Sequence, residues 1–211
     1  MFYQNLKFPR VKDRPFFYTN FVATVDGKTQ VLKNTADYWP IGSKKDHDVL
    51  MQLRANADCL IHGSKLALEF GNITLDSLMG RELKTLRKKL KKAEQLPYYV
   101  ITNHPTKLTT LLSEAVIVNT DLRSLVKDLH TKGYKNVLVE GGPTLLGSFL
   151  ELNLIDQIFL TIAPKIFGSE KDSTLTLVEG HLFSKENIKN LKLLSVKQVE
   201  DEIYLRYEVK K

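Results

Sequence analysis

The sequence predicts an α/β fold, in which a mixed, mostly parallel sheet is flanked by helices and continued by a C-terminal antiparallel hairpin. Short runs of apolar, often β-branched residues alternate with stretches whose apolar residues recur at helical spacing, which favours parallel strands joined by helices. The last two runs, 191–199 and 202–209, are separated only by a tight acidic turn, which is typical of a hairpin.

The predicted strands are rich in Val, Ile, Leu, Phe and Tyr and are bounded mostly by turn-forming residues. The first ends in the turn Val25-Asp26-Gly27 and resumes briefly over 28–31, after which 33–42 is predicted to be a loop. In chain order, the strands are expected at 16–24, 57–63, 96–102, 115–119, 137–139, 155–164, 191–199 and 202–209.

The predicted helices are recognised by apolar spacing and by their caps. Ser43 can cap the first helix, and Thr120 or Asp121 the fourth. Pro143 suits the first position of the last helix, where its missing N–H costs nothing. Residues 64–78 are difficult to assign, because a Gly-Asn pair interrupts them. Helices are expected at 44–56, 81–92, 107–113, 121–130 and 143–150.

The length of 211 residues and a hydrophobic content of 43% allow a substantial core. We expect one domain over 14–209 after a polar leader at 1–13, because no linker rich in Pro, Gly or Ser divides the chain. No apolar run approaches the roughly 20 residues that cross a bilayer, and the N-terminus lacks the core of a signal peptide. A cytoplasmic protein is therefore expected, with its only cysteine, Cys59, as a buried structural thiol.

The net charge of +7 is concentrated in 81–92, where leucines at helical spacing indicate an amphipathic helix with a solvated basic face. No aromatic residues are interleaved there for base stacking, which disfavours nucleic-acid binding. The five histidines include no H-x-x-x-H pair, so no metal site is predicted.

The stretch around the glycine pair Gly141-Gly142 is the most informative part of the chain. A buried strand leads into the glycines, and Pro143 then opens a helix, so that free backbone amides and a positive dipole end form a potential anion site. An ordinary strand-to-helix turn is an equal alternative. The stretch matches neither the phosphate-binding pattern G-x-x-x-x-G-K-[ST] nor the dinucleotide pattern G-x-G-x-x-G.

Charged residues at the ends of predicted elements are the best catalytic candidates. Asp26 follows the first strand, Glu140 ends the central one, and Arg54 lies in the last turn of the helix before the second. Such ends converge on the ligand crevice of a parallel α/β sheet. The alternative for Glu140 and Arg54 is stabilisation by a helix dipole alone.

Three segments resemble the riboflavin-biosynthesis pyrimidine reductases, the reductase domain of the bifunctional deaminase-reductase family. They are F-V-A-T-V-D-G-K at 21–28, L-R-A-N-A-D-C-L-I-H-G at 53–63, and V-E-G-G-P-T-L-L-G-S-F-L-E with L-I-D-Q-I-F-L-T-I-A-P-K-I-F-G at 139–168. The resemblance covers about 14–209 and implies a dihydrofolate reductase-like domain that is usually a homodimer. It implies NADPH-dependent reduction of a ribosylaminopyrimidine 5′-phosphate to the ribitylamino form. The zinc deaminase pattern H-x-E…P-C-x-x-C is absent from the sequence.

The resemblance also implies roles for particular residues. Asp37, Arg54 and Glu140 would contact the substrate, with Arg54 as a partner for its phosphate, and Glu140 and Asp26 are the catalytic candidates. Asp26 also keeps the family's D-G turn, which is compatible with a structural role. The residues expected to bind NADPH are Ala23, Trp39, Gly63, Gly141, Gly142, Pro143, Thr144, Leu145, Leu146, Gly147 and Ser148.

The segment after Gly63 departs from the family, which usually has a threonine and then an aspartate that contact NADPH. Leu66 lies near the threonine position here, and Glu69 or Phe70 near the aspartate. This departure leaves open a related reductase of a pterin or folate, and the positive charge leaves a nucleic-acid-binding protein as a third hypothesis. Whether the pyrimidine substrate is deaminated or still carries both amino groups is also open.

Overall fold

The computed structural model describes residues 2–31, 41–171 and 173–211, so the predictions for Asp37 and Trp39 lie outside the described residues. Its strands are β1 Phe16–Thr24, β2 Gln30–Val31, β3 Cys59–Gly63, β4 Tyr98–Ile101, β5 Val116–Val118, β6 Asn136–Gly141, β7 Ile155–Ala163, β8 Thr174–Leu175, β9 Leu191–Val199 and β10 Glu202–Val209. Its α-helices are α1 Lys44–Asn56, α2 Ser64–Met79, α3 Arg81–Lys89, α4 Pro105–Leu111, α5 Leu122–Thr131 and α6 Pro143–Glu151.

The described residues form two compact units, each assembled from two stretches of chain. The first unit contains the chain up to Tyr18 together with Asp48–Gly142, and the second contains Thr19–His47 together with Pro143–Lys211. The prediction of a single domain over 14–209 stays a prediction.

Within the first unit the strands run in the order β5-β4-β3-β6, and the pairs β5–β4, β4–β3 and β3–β6 are parallel. Helices α2 to α5 connect these strands, as parallel pairing requires. Strands β3 and β6 are buried because both faces of such a sheet are covered: residues 59–61 and 137–139 are 0% exposed. Cys59 is a free, buried thiol, as predicted.

The second unit contains the C-terminal hairpin. Strands β9 and β10 pair antiparallel with an irregularity at Arg206/Tyr207, and β10 pairs antiparallel with β7. The predicted α/β class, with a mixed, mostly parallel sheet and a C-terminal antiparallel hairpin, is therefore confirmed. The short pair β2–β8 is also antiparallel, and β8 was not predicted.

Residues 64–78, which the sequence left unassigned, belong to helix α2. One side of this helix is buried through Ala67, Gly71, Thr74 and Leu78. A Cβ on Gly71 would lie 2.8 Å from both terminal methyl carbons of Leu112, so the glycine allows close packing instead of ending the helix.

The caps are observed as predicted for α1 and α5. The hydroxyl of Ser43 accepts from the amides of Lys45 and Asp46, and Asp121 accepts from those of Arg123 and Ser124. The boundaries are less accurate: α3 ends at Lys89, earlier than predicted, and α4 begins at Pro105.

The segment predicted as a polar leader is packed against α1. Backbone amides of Tyr3 and Leu6 donate to the side chains of Gln52 and Asn56, and Asn56 in turn donates to the Tyr3 carbonyl. Among the described helices, none combines the length and the apolarity that crossing a bilayer demands.

Candidate active site

The candidate site of the first unit forms where β3 and β6 end. The two strands are parallel, so their carboxyl ends lie at the same sheet edge, and their register pairs His62 with Gly141 after an irregularity at Ile61/His62. His62 is thereby placed next to Glu140, the penultimate residue of β6. The last turn of α1 supplies Arg54.

Arg54 and Glu140 form a two-pronged ion pair. The Nε of Arg54 donates to Oε1 of Glu140, and its Nη2 donates to Oε2, both at 2.6 Å. The two side chains are only 6% and 8% exposed. The Nη1 of Arg54 donates to the hydroxyl of Ser77 on α2 at 2.9 Å. The guanidinium is thus held in one orientation by groups from two further elements.

His62 adds a third donor to the same carboxylate. Its Nε2 lies 2.9 Å from Oε2 of Glu140, and its Nδ1 lies 2.9 Å from the hydroxyl of Tyr98 on β4. An ionised carboxylate can only accept, so Nε2 must carry hydrogen, and a neutral imidazole then accepts from Tyr98 at Nδ1. The result is a buried chain of hydrogen bonds from Tyr98 through His62 and Glu140 to Arg54.

Burial and the neighbouring groups determine the protonation states of Glu140, Arg54 and Tyr98. Burial alone would raise the pKa of Glu140, but the Arg54 charge and the hydrogen bonds from Arg54 and His62 outweigh burial and lower the pKa to about 2. The pKa of Arg54 is raised, because attraction to Glu140 outweighs the effect of burial. Burial and the Glu140 charge raise the pKa of Tyr98, so its hydroxyl stays protonated. Glu140 is therefore a fixed anion suited to accept a hydrogen bond, and too weak a base to exchange protons near neutrality.

Asp26 lies in the second unit and is bonded within a turn. Its carboxylate accepts from the Thr24 hydroxyl at 2.5 Å and from the backbone amides of Phe167 and Gly168 at 3.2 and 2.8 Å. The hydrogen bond from Thr24 is the main reason why the pKa of Asp26 is lowered. These contacts tie the turn after β1 to the segment after β7, which is a structural role. The catalytic role predicted for Asp26 stays a prediction.

The glycine pair joins the end of β6 to the first residue of α6. Gly141 has a φ of 100°, which side-chain-bearing residues rarely adopt, and it is joined to Gly142 by a cis peptide bond. A Cβ on Gly142 would meet no described atom within 4 Å. This glycine is therefore not needed for packing against the described residues.

Helix α6 starts at Pro143, as predicted, and its residues differ in their surroundings. Pro143, Leu146 and Gly147 are buried, whereas Thr144 is exposed and Leu145 is half-buried. A Cβ on Gly147 would lie 2.5 Å from the ring of His181, so this glycine admits that side chain. Ser148 bonds within the unit, to the Thr144 carbonyl and the His181 ring, both at 3.2 Å.

Two further residues that were predicted to bind NADPH lie on strands. Ala23 is 4% exposed on β1, and Gly63 ends β3 and precedes α2 with a φ of −84°. The atypical residues Leu66, Glu69 and Phe70 all lie on α2.

Sequence reasoning missed His62, Tyr98 and Ser77. A signal was present for His62, because it is the one polar residue in the apolar run C-L-I-H-G and lies near the end of a predicted strand. Ser77 lies on α2, which was not recognised as a helix. Tyr98 looks like any aromatic strand residue, and only the pairing of Leu60 with Tyr98 places its side chain on the face shared with His62.

Comparisons with known proteins agree with the fold. The model of a family described as the RibD C-terminal domain matches residues 15–205. The riboflavin biosynthesis protein RibD of Buchnera aphidicola is 28% identical over 84% of this chain and 53% of its own length. The 2,5-diamino-6-ribosylamino-4(3H)-pyrimidinone 5′-phosphate reductase of Archaeoglobus fulgidus is 26% identical over 82% of this chain and 90% of its own. The chain spans about half the length of the first two curated relatives that it matches.

Solved structures show the same fold at low identity. A pyrimidine reductase-like protein of Corynebacterium diphtheriae superposes with a TM-score of 0.70 at 19% identity, covering 94% of this chain and 93% of its own. The dihydrofolate reductase of Enterococcus faecalis, complexed with NADP(H), gives 0.57 at 10% identity over 93% and 97%. The predicted dihydrofolate reductase-like fold is thus confirmed.

Proposed function

Because the chain belongs to the RibD C-terminal domain family, we propose that it is a reductase that converts a ribosylaminopyrimidine 5′-phosphate to the ribitylamino form, using NADPH, in riboflavin biosynthesis. The observation that carries the proposal is the buried Arg54–Glu140 pair at the carboxyl ends of parallel strands, where α/β folds bind ligands. The names of the relatives support the reaction class and the phosphorylated pyrimidine substrate.

Glu140 would recognise the substrate through one carboxylate oxygen. Oε2 accepts from both Arg54 and His62, whereas Oε1 accepts from Arg54 alone among the described residues. A carboxylate oxygen can accept two hydrogen bonds, so Oε1 keeps a place for an N–H or O–H of the substrate. The role of Glu140 would be to orient the substrate by accepting a hydrogen bond from it.

Arg54 would contribute in two ways. It holds Glu140 in place, and its guanidinium has five N–H groups, of which the contacts to Glu140 and Ser77 use three. The two other N–H groups are the candidates for the substrate phosphate. Asp37 is also proposed as a substrate contact, on the family resemblance alone.

The residues after β6 suit the phosphates of a nicotinamide cofactor. The start of α6 offers backbone amides, and the space where Gly142 would carry a Cβ is free of described atoms. Gly141, Gly142, Thr144 and Leu145 would hold the cofactor through their backbone. NADPH, when bound, supplies the hydride. We further propose a homodimer, which the mass in solution would test.

The test is an assay with NADPH and the ribosylaminopyrimidine phosphate, followed by the loss of the absorbance of reduced nicotinamide and by mass spectrometry of the product. Consumption of NADPH with formation of the ribitylamino product supports the proposal. A folded protein that consumes no NADPH with this substrate, or that prefers dihydrofolate, refutes it. Competition between the deaminated and the diamino phosphates then identifies the true substrate.

A further inference from the structure

His62 and Tyr98 form a buried polar pair, in which His62 contacts the carboxylate of Glu140 and Tyr98 contacts His62. We propose that they are positioning residues for the reductase reaction, which turn the Glu140 carboxylate so that Oε1 is the oxygen presented to the substrate. The inference rests on the proposed function, since it concerns how that substrate is oriented.

The contacts of the carboxylate give the first argument. Arg54 donates to each oxygen of Glu140, so the pair by itself treats the two oxygens alike. His62 breaks this symmetry, because its Nε2 donates to Oε2 only, at 2.9 Å. Oε2 then has both acceptor positions filled, and a substrate donor must approach Oε1.

Tyr98 gives the second argument, because it decides which nitrogen of His62 carries hydrogen. Its ring packs edge-on against the imidazole, with centroids 5.0 Å apart, and its hydroxyl lies 2.9 Å from Nδ1. Tyr98 is only 3% exposed, so water has little access to the hydroxyl. A hydroxyl that donates to Nδ1 leaves the hydrogen on Nε2, facing Glu140.

Packing alone does not require the polar atoms of His62 and Tyr98. His62 is 1% exposed and follows the apolar residues Cys59, Leu60 and Ile61 on the same strand. An apolar side chain would fill such a position without the need to satisfy two ring nitrogens, and a Phe at 98 would need no acceptor. The polar pair therefore has a use beyond filling the core, and its hydrogen bonds lead from Tyr98 through His62 to Glu140.

The experiment compares His62→Leu, His62→Gln and Tyr98→Phe with the parent. His62→Leu removes the donor to Oε2, whereas the amide of His62→Gln can still donate there. Tyr204→Phe is the matched control, because it removes another buried tyrosine hydroxyl, which donates to Glu202 in the second unit and not to His62.

We expect kcat/KM for the ribosylaminopyrimidine phosphate to fall about 10- to 100-fold in His62→Leu, as for loss of one charge-assisted hydrogen bond. NADPH affinity should change less than about 2-fold. His62→Gln should recover most of the loss, Tyr98→Phe should lose about 3- to 10-fold, and Tyr204→Phe should match the parent. A His62→Leu protein that is as active as the parent, or a His62→Gln protein as impaired as His62→Leu, overturns the proposal. If neither His62 variant folds, the Tyr98→Phe variant tests the proposal, and a Tyr98→Phe protein that is as active as the parent overturns it.

A second readout needs no substrate. Nitrogen-15 NMR of the imidazole should show the hydrogen of His62 on Nε2 in the parent, and a hydrogen on Nδ1 instead overturns the proposal. If the parent shows the Nε2–H form but does not reduce the pyrimidine phosphate, the proposed function falls and the positioning role falls with it. If the parent is active and the variants match it, only the positioning role falls.

Discussion

Replacing Glu140 by Gln tests the central ion pair with little change in shape. Three N–H groups, two from Arg54 and one from His62, converge on the two oxygens of Glu140. A glutamine has one oxygen and one NH₂ group, so at least one donor would face another donor. Arg54, whose side chain is 6% exposed, would become a buried cation without a counter-charge.

The expected loss of stability follows from two independent routes. Removing one partner of a buried ion pair costs about 3–5 kcal/mol. The pKa of Glu140 is lowered from 4.5 to about 2, and this difference corresponds to roughly 3 kcal/mol in favour of the folded state. For a chain of this size, 3–5 kcal/mol lowers the melting temperature by about 6–20 °C.

The dependence on pH distinguishes this cause from a general loss of packing. A carboxylate whose folded pKa is lowered stabilises the protein above its unfolded pKa of 4.5, and this contribution is lost as the pH falls through about 2. Glu140→Gln lacks this contribution at every pH. The difference in unfolding free energy between parent and variant should therefore be largest at neutral pH and should decrease in acid.

The assay is urea denaturation of both proteins at several pH values, with calorimetry at neutral pH. Glu94→Gln is the control, because Glu94 forms an exposed ion pair with Lys84 at 3.2 Å and should cost less than about 1 kcal/mol. A Glu140→Gln protein within about 1 kcal/mol of the parent, or a difference that stays constant into acid, would refute the reasoning.

Three further predictions concern other residues. Gly142→Val should abolish NADPH binding, because the side chain would occupy the space proposed for the cofactor phosphates, and it should change the melting temperature little, because a Cβ there meets no described atom within 4 Å. Intact binding measured by calorimetry would show that the glycine pair has no cofactor role. Arg54→Met should spare NADPH binding and weaken substrate binding by about 2–3 kcal/mol, read from KM, and an unchanged KM would contradict a substrate role. Asp46→Asn should stabilise the protein above pH 6, because burial and the Glu202 charge raise the pKa of Asp46 to about 6. The free energy of unfolding of the parent, measured by urea denaturation, should therefore fall by roughly 3 kcal/mol as the pH rises from 3.8 through about 6. An equal fall in the variant would contradict this prediction.

The sequence was sufficient for the fold because its signals are local. Apolar runs and caps such as Asp121 depend on neighbouring residues, and the resemblance around Gly141-Gly142 identified the family. The same locality explains the failure at α2: the Gly71-Asn72 pair looks like a break, and only Leu112, distant in sequence, shows that the glycine is a packing site.

The candidate site was predicted in part. Arg54 and Glu140 were chosen because they lie at the ends of predicted elements, and the structure brings them together. Their direct pairing could not be read from the chain, because it depends on the strand register. His62 was missed for the same reason, since its polarity matters only beside Glu140.

The separation of Arg54 and Glu140 along the chain has a consequence for biosynthesis. The two residues are 86 positions apart, and a ribosome adding about 5–20 residues per second needs roughly 4–17 s to cover that distance. During this interval the emerging polypeptide carries an arginine whose counter-ion has not yet been made. Docking of the end of α1 must therefore wait for β6, and until then the guanidinium of Arg54 stays hydrated by solvent. A nascent chain stalled just before Glu140 should accordingly remain protease-sensitive around α1, and one stalled well beyond Gly142 should be protected.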